Sequence, residues 1–286
     1  MVKSQDRYDS QEKWISFLEK VYAETNRLLD NKCDIPYYRG HFKTSWELKP
    51  SIYRENPIGT ITDKIICEVE NSLVTDFSAL CGQLYNKKLD DWEMIFEIRH
   101  AALPTRLLDW TESFANALFF ALDGKASIDT IDTIQPCIWI LDPFKLNKKT
   151  CGKSSIPSAD ALNFNYHMNE EDWNIYRKEK KGPIAIIPPR HHQRIFAQKS
   201  VFTCHFNDVP LEKYYKSCVK KIEVPFECRD QAEMFLFLAG VNDYSLFPDL
   251  DGLGRYLQKR KYNPRLLLGN KRTGLEGWYI PTGLLD

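Results

Sequence analysis

Apolar residues along the first third of the chain recur at helical spacing. Trp14, Phe17, Leu18, Val21, Tyr22, Leu28 and Leu29 share one stripe of a 3.6-residue period, which predicts an amphipathic helix over residues 10–30. Asp9 followed by Glu12 marks its start as a capping box, with Asp in place of the usual Ser or Thr. A turn leads into Ile35-Pro-Tyr-Tyr-Arg-Gly40, which reads as a short strand. Ile65, Ile66, Val69, Leu73, Phe77 and Leu80 predict a second helix over 62–84, and a third covers 90–100. The run holding Phe114, Ala117, Leu118, Phe119, Phe120 and Leu122 is different in kind. It has no polar face, so the helix it forms must be buried all round.

Beyond residue 135 the texture turns towards strands. Residues 137–141, 184–187, 200–205 and 221–224 are short β-prone runs bounded by Pro, Asn or Asp. Between the first two lies an irregular polar stretch, 143–182, too long for an ordinary connection and read as a lid or an insertion. Helices are predicted again at 229–240 and 251–261. With no repeat, low-complexity tract or clear linker, the pattern implies an α+β fold: a helical N-terminal half packed on a strand-rich C-terminal half.

Composition narrows the setting. The 286 residues suffice for a sizeable core, and 39 basic against 39 acidic side chains leave no global field to select an acidic partner. Eight Cys without a CxxC pair read as small buried hydrophobes or surface thiols in a reducing cytosol. The polar start MVKSQDRYDSQEK is no signal peptide, and no run of about 18 apolar residues offers a membrane span. The expectation is a soluble, cytoplasmic protein.

Candidate chemistry gathers in two places. One is a polar knot of Arg106, Asp109, Thr111 and Ser113, set between a Pro-containing turn and the all-apolar helix. An Arg and an Asp beside a buried helix terminus are costly unless paired or used. Two readings stand: hydroxyls and Arg106 holding a ribose and a phosphate, or a structural network with Arg106 paired to Asp109 and the hydroxyls capping the helix. The other place is Tyr37-Tyr38-Arg39-Gly40, where a planar guanidinium flanked by aromatics suits an anion, or an ion pair on an edge strand. Arg190-His-His-Gln-Arg194 is a basic cluster that reads as a phosphate contact or a solvated face. A metal site from His191, His192, Cys204 and His205 lacks a recognised spacing and is set aside. The turn at 245–252 reads as structural. No GxSxG, P-loop, HExxH or GxGxxG occurs, which removes the common hydrolase, kinase and Rossmann readings.

Taken together these pieces resemble the FRG domain, a family marked by an aromatic-Arg-Gly motif. Here the motif is Tyr38-Arg39-Gly40, followed by Trp46, Leu48, Pro50, Ser51 and Arg54. The likeness runs on through His100, Leu103-Pro-Thr-Arg-Leu-Leu-Asp-Trp-Thr111, Ser113 and Ala117-Leu-Phe-Phe-Ala121, then Gln198, Val201-Phe-Thr203 and the turn ending at Gly252. Ala101-Ala102 and Lys199-Ser200 depart from the family pattern. The resemblance divides the chain into an N-terminal helix (1–34), an FRG domain (35–262) and a C-terminal extension (263–286).

The order of motifs is in turn similar to that of ADP-ribosyltransferases, and that similarity implies a core of two small sheets. It also implies NAD as cofactor, with Arg39, Tyr38, Gly40, Thr111, Ser113 and Arg106 at the NAD site and Arg39 and Gln198 in the catalytic positions. The implied reaction cleaves the nicotinamide–ribose bond through a state that wants a nearby negative charge. Gln198 supplies none, so Asp109, Glu112 or a remote carboxylate is left to provide it. An RNA or protein acceptor, a toxin or phage-defence role and a neutralising antitoxin follow from the same similarity. The alternative is a non-catalytic nucleotide- or nucleic-acid-binding module using the same pocket.

Overall fold

The computed structural model describes residues 4–54, 63–81, 89–124, 134–159, 182–189 and 192–262. The class is α+β, with ten helices and one antiparallel six-stranded sheet among the described residues. In chain order the elements are α1 (Ser4–Asp30), β1 (Tyr37–His41), α2 (Asp63–Cys81), α3 (Asp91–His100), β2 (Leu107–Thr111), α4 (Phe114–Leu122) and β3 (Cys137–Leu141). There follow α5 (Pro143–Cys151), β4 (Ile184–Ile186), α6 (Gln193–Ala197), β5 (Ser200–Cys204), α7 (Leu211–Tyr214), β6 (Val219–Glu223), α8 (Arg229–Leu238), α9 (Asp243–Leu246) and α10 (Leu250–Tyr262).

The strands lie in the order β4-β5-β2-β1-β3-β6. The first half of the chain therefore does not simply pack on the second. Its two strands, β1 and β2, take the middle of a sheet whose flanks come from residues beyond 136. The polar knot is itself largely strand: Leu107-Leu-Asp-Trp-Thr111 pairs with β5 over five residues, Leu107↔Cys204 to Thr111↔Ser200. Leu-Leu-Asp-Trp-Thr does not alternate apolar with polar, so no period-2 signal marks the strand.

β1 pairs with β3 over five residues, Tyr37↔Leu141 to His41↔Cys137, but with β2 at the single pair Tyr38↔Thr111. Two separate small sheets are thus not what forms among the described residues. One sheet forms, and its two three-stranded halves are joined at a point.

Each face is covered for a plain reason. Leu107, Ile184, Ile186, Phe202 and Cys204 point to one side of the first half and pack with Ile95, Phe96 and Ile98 of α3. On the same side of the second half, Tyr38, Ile138 and Ile140 meet α4 together with Phe17, Val21 and Leu28 of α1. Leu108, Trp110, Trp139, Leu141 and Val201 alternate to the opposite side, against Leu48, Leu146 and Leu211. Helix α4 lies on β1 so closely that a Cβ on Gly40 would stand 1.9 Å from the Ala117 carbonyl oxygen. Only a residue without a side chain fits there.

The helices differ in detail from their expected bounds. α1 begins at Ser4, so Asp9 and Glu12 lie inside it and cap nothing; no Pro or Gly interrupts residues 4–9. α3 has the capping box instead, with Asp90 accepting from the Glu93 amide and Glu93 from that of Asp90. The stretch 143–182 opens with α5, capped by Asp142 and closed by left-handed Gly152; residues 160–181 fall outside the described set, as does the extension 263–286. Of the seven described cysteines, all free, six are buried, and burial pushes the Cys33 and Cys204 thiols up to about 12. No described helix is long and apolar enough to cross a membrane.

Candidate site at the split in the sheet

Past Tyr38 and Thr111 the strands β1 and β2 part, and the Arg39 guanidinium fills the opening. Its Nη1 donates to the Asp109 carbonyl oxygen at 2.6 Å, taking a backbone acceptor that a continuing ladder would have used. Its Nε donates to His41 Nε2 at 2.9 Å. That contact fixes the His41 tautomer: the proton sits on Nδ1, which donates to the Trp46 carbonyl at 3.2 Å. Burial first, then Arg39 and Arg54, push His41 down to about 2, so the ring stays neutral beside the cation. Nη2 of Arg39 has no hydrogen-bond partner among the described residues.

Asp109 lies on the far side of the opening, two residues before Thr111. Arg99, at the end of α3, grips its carboxylate with Nε 3.1 Å from both oxygens and Nη2 2.7 Å from Oδ2. Arg39 Nη1 stands 3.7 Å from Oδ2. Burial alone would raise this carboxyl, but Arg99 and then Arg39 outweigh it and hold it at about 2. Although Asp109 lies deep among protein atoms, 37% of its side-chain surface stays accessible.

The balance of charge is uneven. Burial, only partly offset by Asp109, lowers Arg39 to about 10, and Arg54 and Arg99 push it the same way. Arg54 is anchored through Nε to the Lys49 carbonyl, and Arg99 reaches Ser51 Oγ at 3.3 Å. Among the described residues Arg39 and Arg99 share the Asp109 carboxylate, and Arg54, exposed nearby, adds its field to Arg39, a donor-rich setting that suits an anion. On the side of Trp139, His205 is also held neutral, pushed to about 3 by burial and by Arg39. Its Nε2 accepts from Thr203 Oγ1 at 2.9 Å, and that hydroxyl accepts from Trp110 Nε1 at 3.0 Å.

A second network sits two residues further along β2. Thr111 Oγ1 donates to the Gln198 carbonyl at 2.7 Å and accepts from the Ser113 amide at 3.0 Å. Ser113 Oγ caps α4 by accepting from the Asn116 amide, and Asn116 Nδ2 donates to the same Gln198 carbonyl at 3.0 Å. Gln198 closes α6 two residues before β5, so it is not on the strand expected to carry it. Its Nε2 donates to the Leu246 carbonyl at 3.1 Å. Thr111 and Ser113 therefore brace the α6–β5 corner. Asp109 and Thr111, two apart on β2, place the charged cleft and this corner roughly 7 Å apart along the strand.

Other expected site residues go elsewhere. Arg106 is buried and paired with Glu70 of α2, whose carboxylate also accepts from the Arg106 amide at 2.9 Å. The Arg106–Asp109 pair does not form: Arg106, just before β2, is taken by Glu70, and Asp109, within β2, by Arg99. Tyr38 faces away from Arg39, with its hydroxyl 2.9 Å from Thr25 Oγ1 and its ring against Phe114. Gly40 admits α4, as described above. Sequence reasoning missed Arg99 and His41. His41 carried a faint signal, being two residues after Arg39 and hence on the same face; Arg99 carried none beyond its place at a helix end. Of the basic cluster, Arg190 and His191 lie outside the described residues, while Arg194 is drawn to the His100 carbonyl at 2.8 Å and to Asp249 at 3.1 Å.

Neither the curated proteins nor the solved structures offer a match to the chain. The family model of the FRG domain matches residues 35–130, a span that holds Arg39, Arg54, Arg99, Asp109, Thr111 and Ser113 but not Gln198. The chain contains an FRG domain, and the arginine-lined split belongs to it.

Proposed function

We propose that this split takes NAD by its diphosphate and that the protein is ADP-ribosyltransferase-like. The observation that carries the reading is the Arg39 guanidinium in the opening where β1 and β2 part, sharing the Asp109 carboxylate with Arg99. A diphosphate fits that donor set: Arg39 presents Nη2, and Arg99 and Arg54 supply the surrounding charge. When bound, NAD supplies a nicotinamide leaving group. On the protein side, Thr111, Ser113 and Asn116 hold the α6–β5 corner at a fixed distance from the arginines. ADP-ribosylation of an RNA or protein acceptor, in a toxin or phage-defence setting with a neutralising partner, is the activity such a pocket would serve.

One observation favours a second reading, nucleotide binding without chemistry. Gln198, in the expected catalytic position, is an uncharged amide whose Nε2 is already engaged by Leu246. Asp109, the carboxylate nearest Arg39, is committed to Arg99.

Calorimetric titration with NAD and ADP-ribose, run beside chromatographic detection of nicotinamide, separates the two. Arg39→Ala should weaken ADP-ribose binding by about 10- to 100-fold, the worth of one charge-assisted contact. Nicotinamide release that vanishes in Arg39→Ala supports the transferase; tight binding without release supports the binding module. Affinity for both ligands that is unchanged in Arg39→Ala overturns the pocket itself.

A further inference from the structure

Next to the cleft, but outside it, three side chains converge that neither network uses. Glu97 and His100 stand three residues apart on the last turn of α3 and so share one face. His192 reaches them from the residue that starts α6. Glu97 Oε2 is 3.9 Å from His100 Nδ1 and 3.8 Å from His192 Nε2, and the three atoms lie within 4.8 Å of one another. The two imidazole rings are 4.5 Å apart at 32°.

From this geometry we infer a binding site for a divalent transition-metal ion of the Zn²⁺ class, ligated by Glu97, His100 and His192. Two imidazoles with one carboxylate are a donor set such ions prefer, and a Glu-x-x-His pair on one helix is a recurrent way of presenting two of the three. The independent observation is His100 Nδ1. The atom is buried and has no hydrogen-bond partner among the described residues, an arrangement that is costly for an imidazole nitrogen unless something else takes its lone pair. Fit is a matter of small movements. Ligand atoms held about 2.1 Å from one ion in a tetrahedral arrangement lie roughly 3.4 Å apart, so the two Glu97 pairs close by about half an ångström. His192 Nδ1 accepts from the Arg194 amide at 3.1 Å. Ligation through Nε2 moves the ring proton to Nδ1 and gives up that bond, a single cap on a five-residue helix. Arg194 does not bar the cation, because its guanidinium is turned to Asp249 and the His100 carbonyl. The ion would clamp the α3 end that supplies Arg99 to the α6 start that leads to Gln198. Solvent would complete its coordination.

The test uses the full chain stripped with EDTA and titrated with Co²⁺, read by visible absorption, and with Zn²⁺, read by competition with a chromophoric chelator. One equivalent should bind, and Glu97→Gln, His100→Ala and His192→Ala should each weaken it by about 100-fold or more, since loss of a ligand exceeds loss of its supporting shell. Zn²⁺ should raise the melting temperature of the wild type and leave that of Glu97→Gln unchanged; the near-isosteric Gln, with a folded melt before metal is added, guards against a trivial loss of structure. The inference is overturned by no binding at micromolar metal, by affinity that the three variants do not alter, or by a thiolate-to-cobalt charge-transfer band showing that cysteines hold the ion.

Discussion

Replacing Asp109 with Asn isolates the charge balance of the split. The variant keeps size and one carbonyl acceptor for Arg99 but removes the carboxylate that, among the described residues, faces both Arg39 and Arg99. The wild-type carboxyl is held at about 2, against 3.8 for the free group. At about 1.4 kcal/mol per pH unit, a wholly enclosed group would draw about 2.4 kcal/mol of stability from that difference. Asp109 is 37% exposed, and solvent screening brings the expected loss to about 1 kcal/mol. The sign follows from the direction. A carboxyl depressed on folding stabilises fully above its unfolded value and progressively less as pH falls towards its folded one. Urea unfolding of both proteins should therefore show wild type ahead by about 1 kcal/mol at pH 7, with the gap closing between pH 4 and pH 2. At low salt the same variant should bind ADP-ribose about fivefold more tightly, because one more positive charge is left uncompensated. A stability gap that persists unchanged at pH 2.5 would refute the ion-pair account, and weaker anion binding would refute the charge balance assigned to the cleft.

Three further outcomes follow from contacts elsewhere. Gly40→Ala places a methyl against the backbone of α4, which cannot rotate away, and should cost about 3 kcal/mol in chemical denaturation. Glu70→Gln leaves Arg106 buried without its counter-charge and should cost about 3 kcal/mol, whereas the double change Glu70→Leu with Arg106→Met should recover most of that loss. Thr111→Val removes the donor to the Gln198 carbonyl and the acceptor for the Ser113 amide; a loss of about 1–2 kcal/mol is expected, with faster amide exchange at residues 196–200 as the local sign.

Arg39 shows where sequence reading succeeds and where it stops. Its flanking aromatics and Gly40 mark an unusual strand, and the specific run from Leu103 to Thr111 marks the family. Neither says that β1 and β2 part after one pair, and that parting is what lets the guanidinium enter the opening and reach the Asp109 carbonyl. Arg106 shows the converse. Three positions from Asp109 in the chain, it reads as that residue's partner, yet Glu70, 36 residues earlier, takes the pairing and Arg99 takes Asp109. Gln198 was legible as a marked residue but not as a corner whose backbone carbonyl, more than its side chain, is what Thr111 and Asn116 hold.

What the sequence determined alone is what local physics can encode. Periods of 3.6 gave the long helices, the all-apolar run gave the buried α4, and the aromatic-Arg-Gly and Leu-Pro-Thr-Arg-Leu-Leu-Asp-Trp-Thr segments gave the family. The tertiary structure alone decided strand order, the point-like join of the sheet, and the gathering of Arg39 and Arg99 on Asp109. Those depend on pairings between residues tens to more than a hundred positions apart. Their energies arise only once β3 and β5 have closed around β1 and β2, so no window of sequence contains them.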